Sequence, residues 1–294
     1  MSRLRYAFTM LELIFVIVVI GILAHFGVEL LSNTYQNFIF TKVNNDLQSR
    51  SGSAVEFIAK RLENRITGSV SAVNAAGGRT YLLGGVAPNV PTFEWIATDI
   101  DGFRGTNQPL WSGVIDLQNS NANLLVSPGS SFATLTNRIS DLSNGGTNLN
   151  SAALYFIDSP LAANNPWGFA GAIGDQNSNI HPINMVGGSN TQLVPSVGSF
   201  ANVEVSEYYK LVWTAYAVAL ENYNAGTNMG ELAFYYDYQP WLGETYLQNG
   251  TRTVLARNVS TFRFRAEGSL IKIQVCANTN LVENYALCKE KTVF

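Results

Sequence analysis

The sequence opens with a long apolar run that limits what the rest of the chain can be. Residues 8–31 are almost uninterruptedly hydrophobic, and Arg3 and Arg5 precede them. A helix needs roughly 20 apolar residues, at about 1.5 Å each, to span the hydrocarbon core of a bilayer. Basic residues before such a span favour a cytoplasmic N-terminus. We therefore predict that residues 8–31 form a transmembrane helix.

A cleaved secretory signal peptide is the alternative for the same segment. Such a peptide ends in small residues, in an A-x-A-like pattern, soon after a short apolar stretch. Here Ile22 and Leu23 precede Ala24, and the apolar pattern continues through Val28 and Leu30. The segment lacks the polar break at which a signal peptidase cuts, so we favour a helix that is retained.

Glu12 is the informative residue within this run. A carboxylate at the centre of a membrane helix costs roughly 2.5–3.5 kcal/mol on insertion scales, and less near the edge. Glu12 therefore either stays hydrated at the level of the lipid headgroups or needs a partner of opposite charge.

The residues around Glu12 carry a resemblance to a known family. After the short basic leader, residues 7–13 read AFTMLEL, which closely resembles the processing site of type IV prepilins and type II secretion pseudopilins. The resemblance implies that residues 1–7 are removed by a prepilin peptidase, which cuts between Ala7 and Phe8 and methylates the new amine of Phe8. It also implies that Glu12 pairs with the N-terminal amine of a neighbouring subunit during assembly. The motif match covers residues 3–31 and departs from the family at Ala7, where glycine is usual.

Beyond the apolar run the pattern predicts an amphipathic extension of the helix over residues 32–70. Its apolar residues recur at three-, four- or eight-residue steps, which is the spacing of one helix face. They are Phe38, Val43, Leu47, Val55, Ile58, Leu62 and Ile66. Gly52, between Ser51 and Ser53, predicts a kink or a break, because glycine costs about 1 kcal/mol in a helix interior.

The remainder predicts β-structure of two kinds. Residues 71–205 hold short apolar runs between long Asn-, Gly-, Ser- and Pro-rich stretches, which indicates short strands and surface loops. Residues 206–294 alternate more regularly and predict an antiparallel meander of at least four strands. The resulting fold class is α+β. It resembles the pilin-like architecture, a long helix packed on an antiparallel sheet with a loop-rich insertion, and the strand over residues 258–264 resembles the J-type pseudopilins and W-type minor pilins.

The two cysteines, Cys276 and Cys288, have a spacing unlike a redox or zinc C-x-x-C pair. In an oxidising compartment we expect them to form a disulfide; two unpaired buried thiols are the alternative. The ring that such a bond closes stabilises by roughly 3 kcal/mol in the chain-entropy model.

Other chemistry is weakly signalled. The sequence contains no nucleophile elbow, phosphate loop, dinucleotide fingerprint or H-E-x-x-H, and His181 is interpreted as a surface loop residue, so we predict no catalysis. Oxygen-bearing side chains alternate at Asp175, Asn177 and Asn179, as in calcium loops, but the glycine and the bidentate glutamate of an EF-hand are missing, so a plain polar loop is favoured. We expect no cofactor beyond this weak calcium candidate. A second short run, residues 99–102, also alternates oxygen-bearing side chains and is an equally weak candidate.

The C-terminal region is locally basic, which suggests nucleic acid, although a solvated sheet face is favoured. Its cationic residues are Arg252, Arg257, Arg263, Arg265 and Lys272. The chain as a whole carries a net charge of −3, which does not favour a polyanion partner.

The resemblance therefore implies a minor pilin or pseudopilin, a non-catalytic subunit with a single-pass anchor in the bacterial inner membrane and a globular part in the periplasm. Its implied partners are other pilins or pseudopilins, the prepilin peptidase, the inner-membrane assembly platform and membrane lipid. It then joins a pilus or pseudopilus, which can reach the cell surface. A ligand-binding adhesin or DNA-binding pilin is the rival function, and an anchored periplasmic enzyme is a third.

Overall fold

A computed structural model describes residues 9–82, 91–158, 165–280 and 285–294. These residues combine helices with two antiparallel sheets, as the predicted α+β class requires. The helices are α1 (Met10–Leu62), α2 (Ile100–Arg104) and α3 (Phe132–Leu142). The predicted leader and the predicted cleavage between Ala7 and Phe8 lie outside the described residues.

Helix α1 is continuous over 53 residues, so the predicted break at Ser51–Ser53 is wrong. Ser51 is buried, and its hydroxyl donates to the carbonyl of Leu47 at 2.8 Å, inside the helix. The residues on either side, among them Leu47 and Val55, are buried against the sheet. Tertiary packing of this kind outweighs the small propensity cost of Gly52. The helix ends at Leu62, short of the predicted residue 70.

The larger sheet has eight strands in the order β13-β12-β11-β10-β9-β3-β1-β2. Its strands are β1 (Ser71–Val73), β2 (Arg79–Tyr81), β3 (Thr92–Ala97), β9 (Thr214–Asn224), β10 (Met229–Tyr236), β11 (Thr251–Glu267), β12 (Leu270–Asn278) and β13 (Ala286–Val293). Strands β9 to β13 form the predicted antiparallel meander. The turn between β11 and β12 uses Gly268 at φ +62°, a left-handed conformation that favours glycine.

The smaller sheet has the order β4-β7-β6-β5-β8 and its own core. Its strands are β4 (Leu125–Val126), β5 (Ala153–Phe156), β6 (His181–Met185), β7 (Gln192–Pro195) and β8 (Tyr209–Val212). Helix α3 packs on this core through Phe132, Leu135 and Ile139. The larger sheet therefore carries α1 on one face. A separate cluster joins Ala215 and Ala217 of β9 to Ala153 of β5 and Val212 of β8 in the smaller sheet.

Candidate assembly helix

The first half of α1 has no cover in this structure. Every residue from 10 to 38 is exposed, including Leu11 at 81% and Phe26 at 64%. An 18-residue window of this helix reaches a mean hydropathy of 2.6, with none of the window buried. By length and composition the helix can cross a membrane. An apolar surface of this extent indicates burial against lipid or other chains.

Glu12 lies in the first turn of this exposed half. The side chain of Thr9 caps the helix by accepting from the Glu12 amide at 3.3 Å. A carboxylate in the first turn is favoured by the helix dipole. The Glu12 carboxylate makes no hydrogen bond or ion pair with any residue that the structure describes. It is therefore available to a partner outside this chain.

The second half of α1 is held firmly by the larger sheet. Its buried side chains form one core with the sheet and, nearer the exposed half, a smaller cluster of Val43 and Leu47 with Ala277. The remaining buried residues are Ser51, Ala54, Val55, Ile58, Ala59 and Leu62. At the start of this half the Tyr285 hydroxyl donates to Asn44 Oδ1 at 2.9 Å.

The C-terminal end of α1 is fixed by Arg65, a residue that the sequence did not single out. Its guanidinium donates to the carbonyl oxygens of Leu62 at 2.8 Å, Phe294 at 3.2 Å and Ser269 at 2.5 Å. Burial lowers the pKa of Arg65. Arg65 therefore joins the helix end, the β11–β12 turn and the last residue of the sequence. In the sequence only its charge was visible, because its three acceptors are backbone atoms far away along the chain.

The predicted disulfide between Cys276 and Cys288 is present. The two residues lie directly opposite each other in β12 and β13, with their Cα atoms 3.9 Å apart. Strand β13 is the edge of the larger sheet and packs against α1 through Leu287. The disulfide therefore fastens the edge strand that packs against the part of the buried half nearest the exposed half.

The weak calcium candidates do not form a converging ligand set. Asp175 and Asn177 are exposed, whereas Asn179 is fully buried. Asp175 Oδ1 accepts from the Asn177 amide at 2.9 Å, which makes a local Asx turn. Among the described residues no group of three or more His, Cys, Asp or Glu side chains could hold a metal ion.

The second acidic run has a structural role that explains its composition. Asp99 caps α2 by accepting from the Gly102 amide at 3.0 Å. It also accepts from the indole nitrogens of Trp111 at 3.2 Å and Trp213 at 3.4 Å. Burial raises the pKa of this carboxyl, and the hydrogen bonds oppose that effect. Asp99 thus ties α2 to the core of the smaller sheet, which includes Trp111 and Trp213, while Asp101 is left exposed.

The interpretation of His181 as a surface residue is wrong. His181 begins strand β6, is only 1% exposed and packs against Phe156, with ring centroids 4.9 Å apart, and against Phe200. Neither ring nitrogen has a hydrogen-bond partner among the described residues. Burial lowers the pKa of His181 to about 4. A neutral imidazole fills this apolar core, and the adjacent Pro182 had suggested a loop.

The basic residues of the C-terminal sheet are largely compensated. Arg252 contacts Glu221 and Glu231, each at 3.1 Å, and Lys272 contacts Glu290 at 2.9 Å. Arg257 adds a longer contact to Glu231, whereas Arg263 and Arg265 stand exposed without ion pairs to described residues. Three of the five cations therefore have acidic partners within the described residues, and Arg263 and Arg265 do not.

The exposed half of α1 is thus the candidate functional surface with the clearest physical demand for a partner. It joins a long apolar surface to the carboxylate of Glu12, which no described residue neutralises. Comparison with known proteins adds nothing to this, because no family model, curated protein or solved structure matches the chain. Its function must be inferred from its own residues and geometry.

Proposed function

We propose that this chain is a minor pilin or pseudopilin, a non-catalytic structural subunit of a type IV pilus or a type II secretion pseudopilus. Its helix α1 anchors it in the bacterial inner membrane, with the sheets in the periplasm. The observation that most supports this is the exposed apolar half of α1, which continues directly into the half that carries the sheets. A bundle of parallel helices from several subunits would cover that half after it leaves the lipid.

The proposed chemistry of assembly is electrostatic. Cleavage between Ala7 and Phe8 creates a new positive amine on Phe8, and Glu12 becomes the fifth residue of the mature chain. Opposite charges attract strongly where water is excluded. The amine of one subunit and the Glu12 carboxylate of its neighbour would neutralise each other, and either charge is costly to bury alone. The same pairing would favour one alignment of neighbouring helices over others.

The proposed partners are other pilins or pseudopilins, the prepilin peptidase, the assembly platform of the inner membrane and lipid. Nucleic acid is not among them, because Arg252, Arg257 and Lys272 face glutamates of their own chain. A polyanion would have to compete with those ion pairs.

Processing is tested by measuring the N-terminal mass of the chain after co-expression with a prepilin peptidase. We expect a mature chain that begins at methylated Phe8. Co-expression with a catalytically inactive peptidase is the control and should leave Met1 in place. An intact Met1 with the active peptidase, or a cut near Ala24, would overturn the proposal.

Assembly is tested with two carboxylates of the same exposed half. Glu12→Gln should leave membrane insertion intact and sharply reduce the amount of the chain in sheared filaments. Glu29→Gln is the matched control, since it removes an equal charge elsewhere on the same helix. Equal incorporation of Glu12→Gln and the unaltered chain would contradict the pairing of Glu12.

A further inference from the structure

A cleft lies beside the C-terminal end of α1, away from the exposed half of that helix. Its lining includes Phe57 and Arg61 of α1, Asp101 of α2 and Leu142 of α3. Strands β9 and β10 form the floor, and the cleft has a volume of about 320 Å³. At 1.5 Å per residue, Phe57 stands about 39 Å further along the helix axis than Leu31. The cleft is therefore remote from the membrane-spanning part of the helix.

The floor of the cleft is a strip of aromatic rings. Tyr216 stacks on Phe234 with ring centroids 5.3 Å apart, and Phe234 stacks on Tyr236 at 5.8 Å. Phe57 meets the edge of the same strip, 5.0 Å from Phe234. Tyr216 and Tyr236 are partly exposed, so the strip is accessible from the cleft. Apolar side chains here form a platform and leave room above it.

The walls supply one donor group and one acceptor group with unused capacity. The Arg61 guanidinium donates to the Tyr216 hydroxyl at 3.4 Å, and its carbon lies 5.5 Å from the ring centroids of Phe57 and Tyr216. A guanidinium has five N–H donors, so most remain available. The exposed Asp101 carboxylate makes no hydrogen bond or ion pair with the described residues. Together the two side chains leave the cleft with no net charge.

This combination discriminates between classes of ligand. A purely apolar ligand would remove water from Arg61 and Asp101 without replacing its hydrogen bonds, which is unfavourable. A strongly charged ligand would be attracted by one of these two side chains and repelled by the other. A polyhydroxylated ligand has donors for Asp101, acceptors for Arg61 and C–H faces for the aromatic floor. The volume is at the small end of the usual range for ligand sites, roughly 300–1,000 Å³.

We propose that the cleft between α1, α2, α3 and the β9–β10 floor binds a short neutral saccharide. Tyr216 and Tyr236 stack against the sugar ring, Arg61 donates to its oxygens and Asp101 accepts from its hydroxyl groups. This binding activity goes beyond structural assembly and does not depend on it, because the cleft is separate from the exposed half of α1.

The test is isothermal titration calorimetry on the full chain in phosphatidylcholine nanodiscs, free of detergents with sugar headgroups. The probes are cellotetraose, chitotetraose and maltotetraose. We expect at least one to bind with a Kd below about 1 mM, and Asp101→Ala and Tyr236→Leu each to weaken it at least about tenfold. Tyr223→Leu is the matched control, an exposed tyrosine of β9 outside the cleft, and should leave the Kd unchanged.

Two results would overturn the proposal. One is that none of the three saccharides binds at concentrations up to about 10 mM. The other is that a saccharide binds equally well to the Asp101→Ala chain, which has no acceptor at this position. Asp101 is exposed and its side chain supports no other described residue, so this variant decides the matter even where Tyr236→Leu perturbs the sheet.

Discussion

The two halves of α1 share one helix and have opposite surroundings. From residue 10 to residue 38 every side chain is exposed, whereas Leu47, Ile58 and Leu62 in the second half are at most 1% exposed. The first half is nevertheless the more apolar of the two. Hydrophobic residues of a soluble helix normally face a core. The second half of α1 therefore stabilises the fold of its own chain, whereas the first half is suited to contacts outside that chain.

Substitutions in the two halves should therefore act on different properties. Stability of the sheets depends on the second half, because its side chains lie in their core. Under the proposed function, membrane insertion and association depend on the first half. The tryptophans report on the sheets alone, since none lies in α1; they are Trp95, Trp111, Trp167, Trp213 and Trp241.

The largest effect is expected from truncating one isoleucine in each half. Ile58→Ala should lower the free energy of unfolding of the sheets by about 2–5 kcal/mol, because it leaves a cavity in a fully packed core. Ile20→Ala makes the same chemical change at a side chain that is 59% exposed, and should change that free energy by less than about 0.5 kcal/mol. Urea unfolding of the full chain in nanodiscs, followed by tryptophan fluorescence, measures both. Similar losses for the two variants would remove the distinction between the halves.

The disulfide sharpens the boundary between the halves. Removing it by the double change Cys276→Ala and Cys288→Ala should cost roughly 3 kcal/mol in the chain-entropy model. Since β13 supports Val43 and Leu47, hydrogen exchange should rise first in that stretch of α1 and in β13. Exchange at Ile58, deeper in the core, should rise less. A uniform rise along the whole buried half would show that β13 has no special part in holding it.

Two histidines extend the comparison to acid sensitivity. Burial lowers the pKa of His181 to about 4, so the folded state favours the neutral ring. The contribution of the neutral His181 ring to stability is fully present above the unfolded pKa of about 6.5, and it is lost as the pH falls toward 4. Its contribution should fall by about 2 kcal/mol between pH 7 and pH 5. His25 lies in the exposed half and its ring contacts Phe26 of the same helix.

The measurement compares urea unfolding at pH 7 and pH 5 for three chains. The unaltered chain and His25→Gln should lose similar amounts of stability on acidification. His181→Leu should lose about 2 kcal/mol less than either, because a leucine has no proton to gain in the apolar site between Phe156 and Phe200. An unchanged pH dependence in His181→Leu would show that another buried group governs the response.

The sequence predicted the elements whose signals are local. The apolar run identified the exposed half of α1, and strict alternation identified the meander of β9 to β12 but not its last strand, β13. The cysteine pairing was also correct. The predicted break at Gly52 failed because propensity is local, whereas the packing of Leu47 and Val55 on the sheet is not.

The missed features depend on contacts between distant residues. Arg65 acts through three backbone carbonyls, two of them more than 200 positions away, and backbone acceptors leave no trace in residue identity. His181 was misplaced because the adjacent Pro182 suggested a loop. Pro182 instead lies in β6 opposite Ala153. The cleft beside Arg61 is lined in part by α2 and α3. No residue spacing along the chain predicts that these helices lie next to α1.

The smallest expected effect on stability comes from the carboxylates of α1. Glu56, in the second half, contacts Lys291 of β13 at 2.5 Å, and both side chains are well exposed. Glu56→Gln should therefore lower the free energy of unfolding by about 0.5 kcal/mol or less, and 1 M salt should remove most of the difference because exposed ion pairs are screened.

Glu12→Gln should leave the free energy of unfolding unchanged, since Glu12 contacts no part of either sheet. We expect its unfolding curve to match that of the unaltered chain while its incorporation into filaments falls. Glu56→Gln should enter filaments normally. Unfolding and filament assays on the same two variants thus separate the roles of the halves in both directions. A loss of sheet stability in Glu12→Gln would mean that the first half supports the fold after all.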